Sequence, residues 1–437
     1  MFSNKEKAFL LFILALGLLG CGAPPESPPE RVSAPSGNSN AAPANAQPPT
    51  NNSRNAGLPV TMPLIDAMFA EERFAQDAKA AAQMNDEELQ KIQDAARNAV
   101  LELSGDPSDD DARSTRASAD ATRREIEKII GAERSGSFLD FVRDRWGGEE
   151  LALAQPNAVP SDTRVVVNAP AYRMDVFRDG KLVKTYKVGI GYPEFPLPTG
   201  LRRAQEIIFN PTWAPPDEPW VKGKVRPGEK VEAGSKLNPL GPIKIPIGLP
   251  SLVHGGKDPS RLGSFASHGC VGLTNAGIQD FARELSALGG SEIPAGDIKN
   301  YEKQKTETKE VELGSSVPIE LRYETIVVEN GNVMIYRDVY ERGTNTEENL
   351  LKVLQVYGVS MESLTEQERT ALLDGLNKMA VDATGEKVTE PSPQSEKEDK
   401  NTSGKVTRNV KGEKAVTVAV GALRGKGYPA AVSLIAG

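Results

Sequence analysis

Near Thr163 the spacing of apolar residues changes from that of a helix to that of a strand, and this change divides the chain. Before it, Leu89, Ile92, Ala96, Val100 and Leu103 recur at three- and four-residue intervals, and Asn85 and Glu88 are spaced as a helix-starting cap. A second helical stretch carries Ile126, Ile129 and Ile130, then Phe138, Phe141, Val142 and Trp146. After it come short β-rich runs at 164–168, 172–177 and 182–189, the last two separated by Asp179-Gly180, a dipeptide that accepts the positive φ of a tight hairpin. Runs at 204–209, 243–247, 319–323, 325–328 and 333–336 continue the pattern, with a turn at 329–332. One helix interrupts them, with Ile278, Phe281, Ala282 and Leu285 on one face and Gly289 placed to stop it. The expected fold class is therefore α+β: a mostly-β central domain with one helix, flanked by small helical regions.

The ends of the chain are built differently. Lys5 and Lys7 precede an apolar run from Ala8 to Leu19, the pattern of an export signal over 1–20 and too short to span a bilayer comfortably. Leu18-Leu19-Gly20-Cys21 resembles a bacterial lipobox, which makes Cys21 the expected lipidation site and anchors the chain to a membrane. Residues 21–62 are dominated by Pro, Ala, Asn, Ser and Gly and read as a disordered tether. A helical region is expected over 63–150 and the β-rich domain over 162–341. A second helical region is expected over 342–382, where Thr365 and Glu368 form a capping box ahead of Leu372, Leu373 and Leu376. Residues 383–413 lack apolar content and read as a disordered linker, and 414–437 as a short C-terminal segment of strands or a docking tail.

The net charge of −8 and the absence of a basic stretch argue against a nucleic-acid partner. Oligomeric state is not legible in the sequence. Chemistry is concentrated in one place: the chain has two cysteines, Cys21 and Cys270, and two histidines, His254 and His268, which precede Cys270 by sixteen and two positions. Acylation of Cys21 would leave Cys270 a lone thiol in an oxidising compartment. A nearby imidazolium can lower a thiol's pKa until the reactive thiolate is populated. His254, on a separate segment, is better placed as that base than His268. Zinc accepts the same donor types, but the spacings that mark zinc sites are absent, so neither a metal nor an organic cofactor is expected.

His254-Gly255, a loop, and then Ser267-His268-Gly269-Cys270 with Asn275 five places on is similar to the signature of the L,D-transpeptidase catalytic domain of YkuD type. The likeness extends to Val165–Gly191, to Asn210-Pro211-Thr212-Trp213 and to Asn238-Pro239-Leu240-Gly241-Pro242, and covers residues 162–341. The resemblance implies a Cys270 nucleophile, a His254 base oriented by the Gly255 carbonyl, and His268 with the amides of Gly269 and Cys270 around a developing oxyanion. Ser267 would hold the loop, and Trp213, Asn275 and Tyr192 would line the groove for a peptidoglycan stem peptide. The implied reaction is a thioester transfer giving a 3→3 cross-link, with hydrolysis or a noncatalytic binding role as alternatives. One position departs: the family commonly has Arg two residues after the cysteine, where this chain has Gly272, leaving Arg261 or Lys257 to take over a substrate carboxylate.

Overall fold

The computed structural model describes residues 57–69, 71, 73–102, 114–146, 155–215, 229–248, 251–387 and 406–434. The predicted export signal, Cys21 and most of the tether lie outside them. No described helix is long and apolar enough to cross a membrane.

Strands β1 (Arg164–Asn168), β2 (Arg173–Arg178) and β3 (Lys181–Lys187) form an antiparallel meander whose second turn places Asp179 and Gly180 at φ 48° and 74°, as the Asp-Gly signal requires. β5 (Gly200–Phe209), β6 (Ile243–Pro246), β7 (Leu252–His254), β9 (Val271–Gly272) and the long β10 (Lys309–Arg322) complete an eight-stranded sheet in the order β3-β2-β1-β10-β5-β6-β7-β9. β1–β10 and β7–β9 are parallel pairs, and the latter forms one end of the sheet. The two-residue β4 (Ile190–Gly191) pairs with β8 (Phe265–Ser267) beside it. Helix α6 (Asn275–Leu288) buries the predicted face, Ile278, Phe281, Ala282 and Leu285, against the sheet. Thr274 caps α6, its hydroxyl accepting from the Gly277 N–H at 3.0 Å. A further helix, α7 (Ala295–Lys303), contributes Ile298 to the same core; only one helix was expected here, and α7 carries too few apolar residues to announce itself.

The helical region has its own core. α1 (Met62–Met68), α2 (Phe74–Ala81), α3 (Asp86–Glu102), α4 (Thr115–Ile130) and α5 (Ala132–Trp146) pack around Phe74, Ile92, Ile126 and Phe138. The Asn85–Glu88 box is formed, each side chain accepting from the other's backbone N–H at 2.8 and 3.0 Å. Leu58 and Val60, assigned above to the tether, are buried in this core, so the helical region includes residues before the expected start at 63.

The expected boundary at 341 needs correction. β11 (Ile326–Glu329) and β12 (Asn332–Tyr336) do not join the large sheet; they pair with β13 (Ala415–Ala419) in a three-stranded sheet covered by α8 (Glu347–Val356) and α9 (Glu366–Met379). The apolar faces of 326–336 and of 415–423 complete each other, so the last segment is a structural strand rather than a tail. Residues 406–413, read as linker, are also placed, with Val406 and Thr407 buried.

Candidate active site

The sheet's edge brings the chemistry together. In the parallel β7–β9 ladder Val253 pairs with Val271 and His254 with Gly272, and the Leu273 N–H donates to the His254 carbonyl at 2.8 Å. His254 and Cys270, sixteen positions apart in sequence, thus lie on adjoining segments. The Nδ1–H of His254 donates to the Gly255 carbonyl at 2.7 Å; a carbonyl only accepts, so this fixes the tautomer and leaves Nε2 with the lone pair.

Ser267 holds the loop. Its hydroxyl donates to the Cys270 carbonyl at 2.5 Å and accepts from the Cys270 N–H at 3.0 Å, closing the turn through His268 and Gly269. Gly269 has φ +86°, a conformation that disfavours side chains, and its carbonyl accepts from Ser251 Oγ at 2.8 Å. The bond to Ser267 bears on one expectation: of the two amides expected around an oxyanion, that of Cys270 is committed inside the turn.

Burial is the first cause of the site's electrostatics. It pushes the Cys270 thiol up from its ordinary value, against the opposing pull of the Leu252 backbone and Lys257. It pulls His254 down to about 3, helped by the Lys257 charge, while the Gly255 and Leu240 carbonyls act the other way. His268 is depressed as well, by burial and then by Arg408 and Lys257. The resting pair is therefore neutral thiol and neutral imidazole, not the thiolate–imidazolium pair expected from the sequence, because a desolvated ion pair would have to overcome the cost of burying both charges.

The other named residues fall unevenly. Tyr192 is at the site: its ring meets His268 edge-on at 5.0 Å, and its hydroxyl accepts from Arg261 at 3.2 Å. Asn275, expected on the substrate side, instead braces the His254 loop, its Oδ1 accepting from the Gly256 N–H at 2.8 Å. Trp213 is half-buried on the loop after β5, where its backbone exchanges two hydrogen bonds with Val231; residues 216–228 lie outside the described set.

Several site residues were not assigned such roles from sequence. Trp146, at the end of α5, lies against Gly269 and donates its indole N–H to the Pro196 carbonyl at 3.0 Å. The Phe195 ring also meets His268 edge-on, with centroids 5.0 Å apart. Arg408 stacks over Tyr192 at 4.2 Å while donating to Glu194 at 2.9 Å. No local pattern marks them, since each acts across 50 or more positions. A cavity of about 310 Å³ lies away from these residues, lined by Thr199, Tyr323 and Arg342 among others.

Residues 162–319 match the family described as the L,D-transpeptidase catalytic domain, YkuD. This segment belongs to that family. Solved structures similar to the chain include the catalytic domain of the E. faecium L,D-transpeptidase (16% identity, TM-score 0.25, covering 38% of this chain and 100% of that one). An L,D-transpeptidase from Mycobacterium smegmatis is 17% identical with TM-score 0.22, covering 37% and 58% respectively. The L,D-transpeptidase 3 of Mycobacterium tuberculosis is 15% identical with TM-score 0.22, covering 37% and 60%. The chain thus spans little more than half the length of these mycobacterial proteins. A search of curated proteins returned no match. In the segment that matches the family, then, the paired β7–β9 edge carries His254 and follows directly on Cys270, while residues from both sides of that segment, Trp146 and Arg408, reach Gly269 and Tyr192.

Proposed function

We propose that this chain is a peptidoglycan L,D-transpeptidase that forms 3→3 cross-links between stem peptides through a thioester on Cys270. The observation that carries the reading is the tautomer of His254: with Nδ1–H held by the Gly255 carbonyl, Nε2 is left to accept the thiol proton as sulfur attacks. Sγ bonds to the carbonyl carbon of the third, L-centred residue of the donor stem. The Gly269 amide and His268 face the oxygen that gains charge, where fixed donors are worth a few kcal/mol, roughly 3 for one donor. The C–N bond breaks, the imidazolium returns its proton to the departing D-alanine amine, and an amine of a second stem attacks the thioester, restoring the thiol. No metal or cofactor takes part in these steps. The lipobox-like Cys21 supports an exported, lipid-anchored location, at the periplasmic face of the outer membrane where the cell has two membranes.

The test is mass spectrometry of the full chain, whose flanks touch the loop, incubated with disaccharide-tetrapeptide beside Cys270→Ala. Cys270-dependent dimer is the expected product. Tripeptide without dimer would mean that water resolves the thioester, and absence of any adduct would leave a binding role.

A further inference from the structure

Three cations approach the catalytic loop, and two are engaged. Arg261 donates to the Phe265 carbonyl at 2.6 Å and to Tyr192 Oη at 3.2 Å. Arg408 is paired with Glu194 and stacked on Tyr192. Lys257 differs: it is half-buried, its N–H is used by the Leu273 carbonyl at 3.0 Å, and among the described residues its ammonium has no carboxylate partner. Its side chain lies on Gly272 so closely that a methyl group built there would be 2.8 Å from both its Cγ and Cε. Gly272 is two positions beyond Cys270, and the lysine stem that lies on it brings the ammonium near enough for its charge and that of the thiol to act on each other. Burial lowers the Lys257 pKa, so the ammonium is costly in the free enzyme, and an anion beside it would offset that cost.

We propose that Lys257 binds the free carboxylate at the end of the donor peptide and thereby directs Cys270 to the bond before a terminal residue. This rests on the transpeptidase reading above. The geometry of a peptide supports it: a terminal carboxylate carbon is about 4 Å or less from the carbonyl carbon of the preceding residue, so an anion there is within reach of a cation beside the thiol. Gly272 is then a specificity residue in its own right, because any side chain would displace the lysine.

The experiment compares acyl-enzyme formation, by rapid-quench mass spectrometry on the full chain, with two tetrapeptide donors that differ only in a terminal carboxylate or carboxamide. The wild type is expected to favour the acid. Lys257→Gln should lower kcat/KM for the acid roughly tenfold to a hundredfold more than for the amide, the usual weight of a hydrogen bond to a charged group. Gly272→Ala, whose methyl displaces the lysine without removing it, should reduce the preference in the same direction. A wild-type preference that survives in both variants, or no preference in the wild type, overturns the proposal while leaving the transpeptidase reading intact. If the wild type acylates with neither donor, both fall together.

Discussion

Burial at His254 has a consequence for stability as well as for proton transfer. Its pKa is held down to about 3 in the fold against an ordinary value of 6.5. Between those values the unfolded chain binds a proton that the fold refuses, so the stability tied to a neutral His254 is complete above about pH 6.5 and is lost as pH falls toward 3. The slope is roughly 1 kcal/mol per pH unit in that window, and His268 adds in the same sense. Urea midpoints measured from pH 7 to pH 4 should therefore drop more steeply for the wild type than for His254→Gln; parallel curves would show that the imidazole is not desolvated. The sequence singled out Cys270, His254 and Ser267 as candidates because their types and spacing form one pattern. It missed the ionisation state, because a pKa depends on what encloses a group, and the enclosure comes from segments packed around the loop rather than from the motif.

At the scale of elements, periodicity and capping located the helices well where a face is fully apolar, as in α3, α6 and α9, and located the β2–β3 hairpin through its turn. It was weakest for β7, β8 and β9, strands of two or three residues whose pairing partners are distant in sequence. Those strands carry the site, so the catalytic edge is set by long-range ladders. Helix α5 illustrates the same point. Its Trp146 reads as ordinary helical core, yet the indole is wedged against Gly269 and bonded to Pro196. Trp146→Ala should cost about 3–5 kcal/mol, as for other fully buried large aromatics, and should lower the rate of Cys270 acylation beyond what the stability loss explains. Thermal melts and single-turnover acylation on one preparation check this: a normal rate in the folded variant would show that α5 is only a support.

Across the described residues, the regions on both sides of the large sheet's domain reach the segment around Glu194 and Pro196. The helical region reaches it through Trp146 and through Thr61, whose hydroxyl donates to the Glu194 carbonyl at 3.0 Å; the C-terminal region reaches it through Arg408 on Glu194. The N-terminus of α4 is tied to the region after β12, where the backbone N–H groups of Thr115 and Arg116 donate to the Glu341 carboxylate at 3.0 and 2.8 Å, an anion on a helix dipole. A chain so arranged presents its site as one assembly, and the residues before 57 would connect it to a membrane. Expression with a labelled fatty acid should mark the wild type and leave Cys21→Ala unmarked; equal labelling, or none in either, would remove the anchor from the proposal.

Composition and spacing by themselves determined the fold class, the hairpins, the cap positions and which cysteine and histidines to propose for the chemistry, because these depend on residue type and on intervals within a few turns of chain. Only the tertiary structure decided that 326–336 and 415–419 share a sheet, that Asn275 braces a loop, and that the thiol and imidazole rest neutral. Those outcomes depend on which surfaces exclude water from one another, and desolvation is a property of the packed whole rather than of any local run of residues.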